Sequence, residues 1–249
     1  MNLLSIDTTT KVAAVALKTN NKIYENSVSN EITHSEKLLP LISNILKNHR
    51  TSLKDIPIFC VINGPGSFTG IRIGLSTLKA FSYVNKQKIF SITSSMLLAY
   101  KAYEIFCVNH EFSKKYVISL IDAKNSRMYY DIYKIEKNEN GKILIDELFE
   151  IKNDNIHELL KDVKSYLNEN NINSNDIIIA GNTLSDYEND IKSIFLVEDL
   201  KLITCYPTPS DTIDAFERFE NPEKYIFDAF TLDAIYARKS QAERLKKSE

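Results

Sequence analysis

Cysteine, histidine and glycine are scarce in this chain: three, four and six among 249 residues. Cys60, Cys107 and Cys205 are odd in number, far apart and in no CxxC pair. That spacing excludes a disulfide framework and a zinc knuckle, and it suits reduced thiols in the cytoplasm. None of His34, His49, His110 and His157 has a His or Cys at helical ligand spacing; the residue four after His34 is Leu38. HExxH and GxSxG do not occur, so neither a zincin protease nor a serine-hydrolase elbow has a basis here. Each histidine reads as a surface or helix-end residue. Long apolar runs are missing as well. The longest clear run, Val12 to Leu17, falls far short of the ~20 residues of a membrane span. The opening Met1-Asn2-Leu3-Leu4-Ser5-Ile6-Asp7 lacks the basic and long apolar stretches of a secretory signal. The expectation is a protein without a membrane segment. Excess charge is absent too: 31 Lys plus Arg stand against 33 Asp plus Glu, a formal net charge of −2. A stand-alone nucleic-acid binder needs many phosphate contacts and is excluded on that ground; a chain that helps another hold a nucleic acid is not. No short-period repeat occurs.

What is present is an ordinary globular balance, 43% apolar and 26% charged, in a chain long enough to bury a core unaided. Three short strands are predicted at the start: Leu3 to Asp7, Val12 to Leu17, and Ile23 to Val28 after the Asn20-Asn21 turn, together an antiparallel meander. A helix follows, with Leu38, Leu39, Leu41, Ile42, Ile45 and Leu46 at helical spacing. Thr33 and Glu36 fit a capping box, and Pro40 is taken to lie near the helix start, where its missing N–H costs least. Ile58 to Ile62 is a continuous apolar run suited to a strand buried on both faces. A helix from Ile71 to about Val84, a strand at Ile89 to Ile92 and a helix from Met96 to about Cys107 come next. Strands then follow at Tyr116 to Asp122, Met128 to Ile135 and Lys142 to Phe149, the last two joined by the hairpin turn Asn138-Glu139-Asn140-Gly141. The pattern ends with a helix at Ile156 to Leu167, a strand at Ile177 to Ala180 and a helix after Thr208-Pro209-Ser210. From Arg238 to Glu249 the chain carries five Lys or Arg and two Glu; this is either a solvated helix end or a nucleic-acid contact.

Gly64-Pro65-Gly66-Ser67-Phe68-Thr69-Gly70 holds three of the six glycines and lies between a buried strand and a helix. Such a loop lets backbone N–H groups and the helix N-terminus approach an anion. It is not a Walker A loop, because Ile71 rather than Lys follows Gly70. The competing reading is packing: Gly70 and Gly74 share one helix face with Thr77 and Leu78, and that face allows a close neighbour. Asp7 and Asp122 each end an apolar strand followed by a polar turn and a second strand. This echo suggests two lobes of one topology. Each carboxylate either closes a local Asx-turn or, with Thr8 and Thr9, Gly64, Gly66 and Ser67, faces a metal–nucleotide complex.

The Leu4-Ser5-Ile6-Asp7-Thr8-Thr9-Thr10 opening, His34-Ser35-Glu36-Lys37-Leu38-Leu39-Pro40 and the run from Gly64 to Gly74 together resemble the TsaB (formerly YeaZ) family of the bacterial threonylcarbamoyladenosine pathway. Ile121-Asp122-Ala123 before Tyr129-Tyr130, Ala180-Gly181-Asn182, and Tyr236-Ala237-Arg238 before Ala242-Glu243 add to it, the family's more usual form of the last motif being Tyr-Leu-Arg. The resemblance implies an α/β, two-lobed actin/Hsp70-like fold. Its first lobe would span residues 1–110 with a C-terminal segment of about 225–245, and its second residues 111–224. It implies a platform subunit without catalytic residues or a metal of its own. Such a subunit pairs with a metal-bearing TsaD paralogue and, with the ATPase TsaE, serves transfer of threonylcarbamoyl from threonylcarbamoyl-adenylate to the adenosine beside the anticodon. The tRNAs concerned read codons that begin with A and are touched only through the complex. ATP or ADP with Mg would bind at the complex interface, not tightly to the chain alone. Family pairing through helices of the first lobe makes Leu38, Leu41, Ile42, Ile45, Gly70, Gly74, Thr77 and Leu78 the expected interface, with a homodimer as its counterpart in the isolated chain. The alternative is an autonomous ATP-dependent enzyme of the same superfamily, built on Asp7, Asp122 and the glycine loop.

Overall fold

The computed structural model describes residues 1–29, 34–108, 114–195 and 200–237. Thr33, the side chain of His34, His110 and the charged segment from Arg238 lie outside the described residues. The chain divides into two compact units, Met1–Ser94 with the segment from Pro207 onward, and Ser95–Tyr206.

In the first unit, β1 (Leu3–Asp7), β2 (Val12–Thr19) and β3 (Lys22–Ser29) form the expected antiparallel meander. Asn20 and Asn21, at φ 50 and 59, make its tight turn, a conformation asparagine tolerates. Helix α1 (His34–Asn48) carries Pro40 in its interior. Pro40 is the seventh residue, beyond the first turn, so the bond its N–H would give Glu36 is lost; the expectation of a harmless position near the start is corrected. Strand β4 (Ile58–Ile62) lies parallel to β1, as its continuous apolar run requires. Helix α2 (Phe68–Asn85) begins three residues earlier than the apolar pattern indicated, because Ser67 caps it by accepting a hydrogen bond from Gly70 N. Strand β5 (Lys88–Ile92) runs parallel to β4. Leu4, Ile6, Val15, Leu17, Phe59, Val61 and Ile89 of the sheet bury against α1 and α2.

Helix α3 (Ser94–Cys107) carries the chain into the second unit. There β6 (Lys115–Asp122), β7 (Arg127–Lys137) and β8 (Ile143–Asn155) form another antiparallel meander. Its β7–β8 turn is the expected one, with Asn138 Oδ1 accepting from Asn140 N and Lys142 N. Helix α4 (Ile156–Glu169) is capped by Asn155, and β9 (Ile177–Gly181) adds parallel to β6. The short α5 (Glu188–Phe195) and β10 (Lys201–Thr204, parallel to β9) were not anticipated. The core joins Ile118, Leu120, Ile132 and Ile179 to Leu159, Leu160 and Val163 of α4.

The chain then returns to the first unit. Helix α6 (Pro209–Arg218) has the capping box Thr208/Asp211, and Glu217 on it pairs with Lys18 of β2. Strand β11 (Ile226–Phe227) closes the sheet against β5. The sheet orders are β11-β5-β4-β1-β2-β3 and β10-β9-β6-β7-β8. Each unit is thus a three-strand meander whose first strand pairs with a parallel strand, and that strand with a second parallel one. That duplication is the expected two-lobed actin/Hsp70-like α/β class. Boundaries were expected at residues 110 and 224; in the structure α3 counts with the second unit and α6 with the first. No helix among the described residues is long and apolar enough to cross a membrane.

Candidate functional site

The β1–β2 turn and the glycine loop meet in the first unit and engage each other's polar groups. Asp7 Oδ1 accepts from Thr9 N at 2.8 Å and from the Thr9 hydroxyl at 2.7 Å, which closes an Asx-turn. Thr8 is buried and donates its hydroxyl to the Gly70 carbonyl at 2.7 Å. Thr9 O accepts from Ser67 N at 2.7 Å. Ser67 O receives Ile71 N, and Ser67 Oγ receives Gly70 N at 3.2 Å. The amides of Thr9, Ser67, Gly70 and Ile71 are therefore engaged within the unit. In the second unit Asp122 Oδ1 accepts from Lys124 N at 2.7 Å, the same turn at the equivalent strand end. Both aspartates thus close the local turn through Oδ1.

The glycines are there for close packing. A side-chain carbon at Gly70 would strike the Thr8 carbonyl oxygen, far inside contact distance. One at Gly74 would stand 2.5 Å from Thr8 Oγ1, and one at Gly66 2.5 Å from Thr9 O. Gly64, at φ +118, has the backbone of Ile235 against it, which only a residue without Cβ allows.

This placement corrects the expected interface. Leu38, Ile42 and Ile45 are at most 2% exposed and belong to the first unit's own core, as does Leu78. Leu41 packs against that core, and half-buried Thr77 donates its hydroxyl to Ile73 O. Gly70 and Gly74 receive the β1–β2 turn rather than a foreign helix. The apolar spacing correctly marked a buried face, and the unit's own sheet covers it. The outward faces carry other residues: Leu39, Pro40, Ser43 and Asn44 on α1, and Arg72, Ser76, Ala80, Tyr83 and Val84 on α2. Tyr83 (66% exposed) and Val84 (76%) are joined by Phe230 (79%), whose ring meets Tyr83 edge-on at 5.7 Å. Ser76 and Ala80, small and four apart, were the signal for this face.

A second contact was also missed. Arg72 lies 3.9 Å over the Phe68 ring and donates from Nε to the Tyr236 hydroxyl at 3.0 Å. Asn63 O receives Ile235 N at 2.9 Å, and Asn63 Nδ2 donates to Asp233 O at 3.3 Å. The segment that carries Tyr236 is thereby laid along the glycine loop. Of the histidines, His49 stacks on Tyr24 at 3.6 Å and His157 is exposed on α4. The three cysteines are free thiols, and burial pushes that of Cys60 up. Among the described residues no group of three or more His, Cys, Asp and Glu is arranged to hold a metal ion.

The chain is similar to proteins of one pathway. The family model described as TsaD, tRNA N6-adenosine threonylcarbamoyltransferase, matches residues 22–191, more than half of the chain. The tRNA threonylcarbamoyladenosine biosynthesis protein TsaB of Buchnera aphidicola subsp. Schizaphis graminum is 33% identical over 131 residues, 53% of this chain and 60% of that protein. TsaB of Escherichia coli K12 is 29% identical over 141 residues, 57% and 58% of the two chains. The match thus spans about 60% of the length of these curated relatives. In fold, YeaZ from Pseudomonas aeruginosa superposes with a TM-score of 0.69 at 18% identity, over 94% of this chain and 99% of that one. With that fold, and with residues 22–191 matched, the chain belongs to the family whose model is described as TsaD, and the two relatives just given carry the name TsaB.

Proposed function

We propose that this chain is the TsaB-type platform subunit of a tRNA threonylcarbamoyladenosine system, without catalytic residues of its own. It pairs with a TsaD-type paralogue that supplies the metal and performs the transfer. A TsaE-type ATPase completes the machine, and the tRNA is reached only through the complex. The single observation that carries the reading is the engaged cradle: Thr8, Thr9, Ser67 and Gly70 satisfy one another where an active relative would hold phosphate. ATP or ADP with Mg would then depend on surfaces that the partner brings. Pairing uses the outward faces of α1 and α2, where Ser76 and Ala80 permit close approach and Tyr83, Val84 and Phe230 supply apolar area. In the isolated chain the same face pairs two copies.

The test is size exclusion with light scattering, with this chain and a TsaD-type protein from the same organism. A mixed complex is expected, and Ala80→Arg, at an exposed position, should abolish it while the circular dichroism spectrum stays unchanged. A chain that ignores the TsaD-type protein overturns the platform reading. A complex that survives Ala80→Arg overturns the assigned face alone.

A further inference from the structure

The end of the first unit at which β1, β4 and β5 begin takes no part in the proposed pairing, and its charge is one-sided. From residue 34 to residue 94 the chain carries eight Lys or Arg against two Asp or Glu, although its net charge is −2. The sheet register sets where the cations fall. Ile23 pairs with Lys18, Lys18 with Leu3, Leu3 with Ile58 and Ile58 with Lys88, so Lys22 and Lys88 stand at the two ends of one row across five strands. Strands lie about 4.8 Å apart, which makes the row about 19 Å wide. Lys47, Arg50, Lys54 and Lys86 fill the interval. Tyr24 stacks on His49 at 3.6 Å and so joins the end of α1, with Lys47 and Arg50, to β3. Gln87 donates from Nε2 to Leu53 O and to Ile56 O, which sets Lys86 and Lys54 on either side of one tether. All six cations are exposed, and none is ion-paired among the described residues.

Ordinary roles account for only part of this charge. The C-terminal ends of α1 and α2 each carry about half a negative charge, which Lys47 and Lys86 offset. The two nearby acids are turned to their own loops: Asp55 accepts from Ser52 N and Oγ, and Asp228, on which Lys88 also acts, accepts from Phe230 N and Thr231 N. Lys22, Arg50 and Lys54 serve no such group. The second unit differs, because Lys115, Lys152, Lys161 and Lys192 there each lie within 3.1 Å of an acid. We propose that this rim of the first unit is a contact for the phosphate backbone of RNA. A row of that length fits a linear polyanion, and a duplex presents one charge per about 1.7 Å of its axis. Lysine, five of the six, is depleted in protein–protein interfaces and common on phosphates. The neutral residues beside the cations include Asn20, Asn21 and Asn48, exposed amides of the kind that donate to phosphate oxygens. The choice of RNA rests on the platform reading, which brings the chain to tRNA. Five or six such contacts hold weakly at physiological salt, so the rim counts when a partner chain grips the same RNA.

The test is fluorescence anisotropy of a labelled, unmodified tRNA transcript titrated with the full chain at low salt. Binding is expected at about 50 mM salt, weakened about twentyfold at about 100 mM if five phosphates are met. Lys54→Gln and Lys86→Gln should each cost about tenfold at the lower salt, and together they should make the salt slope less steep by about 2. Should either variant alter the circular dichroism spectrum, Lys47→Gln replaces it. Lys161→Gln with Lys192→Gln, which removes as much charge from the second unit, should change neither quantity. No binding at low salt overturns the proposal, as does an equal loss in the two double variants. Polyglutamate that displaces the tRNA at equal charge concentration assigns the rim to an acidic protein instead. A duplex DNA that binds more tightly than the tRNA overturns the choice of RNA. Failure of the platform reading shows elsewhere, as no complex with the TsaD-type protein, and tRNA binding that persists there upholds the rim.

Discussion

Thr8 donates its hydroxyl to the carbonyl oxygen of Gly70 at 2.7 Å, and Gly70 in turn has no room for a side chain because the Thr8 backbone fills that space. The two residues define each other's conformation, and their substitutions should act differently. Thr8→Val keeps the volume and removes one of the bonds to a carbonyl that α2 also engages, a loss of about 0.5–1.5 kcal/mol. Gly70→Ala drives a carbon into backbone that cannot swing aside, so its cost should exceed the ~1–3 kcal/mol of ordinary overpacking. Urea denaturation followed by circular dichroism ranks the two. If Gly70→Ala proved the milder change, the close approach of loop and turn would be wrong.

The Arg72 clamp gives a second expected outcome. The guanidinium over Phe68 and the bond to Tyr236 hold the last described residues against α2. Arg72→Ala should lower stability by only about 0.5–1 kcal/mol, as for an exposed cation–π contact. Its larger effect should be local. Limited proteolysis of residues 228–237 should be faster than in the native chain, while Tyr236→Phe, which keeps the ring and loses one bond, should fall between the two. Equal cleavage in all three would show that Asn63 and Gly64 hold the segment without Arg72.

A third outcome separates packing from pairing on α2. Gly74→Arg looks, from helical spacing alone, like a probe of a partner surface. Its side chain would instead enter the space of Thr8 Oγ1, 2.5 Å from the first carbon added. The variant should therefore lose cooperative thermal unfolding of the first unit, with its far-ultraviolet spectrum altered. Ala80→Arg, at an exposed position, should unfold as the native chain does. A folded Gly74→Arg would mean that the β1–β2 turn yields.

These contrasts show what the sequence made legible. The meanders were legible because Asn20-Asn21 and Asn138 to Gly141 are turns whose chemistry is local. The Asp7/Asp122 echo proved to be a repeated sheet topology, since each carboxylate ends the first strand of a meander and accepts the amide two residues on. What spacing could not decide was which neighbour a face meets. Leu38, Ile42 and Gly74 lie on faces correctly read as buried, but the partner is the unit's own sheet or turn. The Arg72–Tyr236 contact joins residues 164 apart, beyond any local pattern. Asp131 is fully buried at a bulge between β7 and β8, and neither strand's alternation records it.

The pH dependence of stability should carry the mark of that bulge. Asp162, held below the usual carboxylate range first by Lys152 and then by Tyr130, contributes stability above the ordinary pKa that is lost as pH falls through its lower folded value. Asp131 acts in the opposite sense. The unfolded chain ionises it near ~3.9, whereas in the folded chain burial, opposed first by the Tyr133 hydroxyl and reinforced by Glu147, pushes the carboxyl up to about 8. Between those values the folded state binds more protons than the unfolded state, so stability declines as pH rises through the window and levels off above it. The chain has no tryptophan, so urea unfolding is best followed by circular dichroism at several pH values between about 5 and 9. The native midpoint should fall steadily to about pH 8 and then flatten. Asp131→Asn keeps the volume and a neutral donor, so it should raise the midpoint at neutral pH and remove most of the slope. A slope that persists in this variant would assign the window to another group, with Glu147, itself raised by burial, the next to replace.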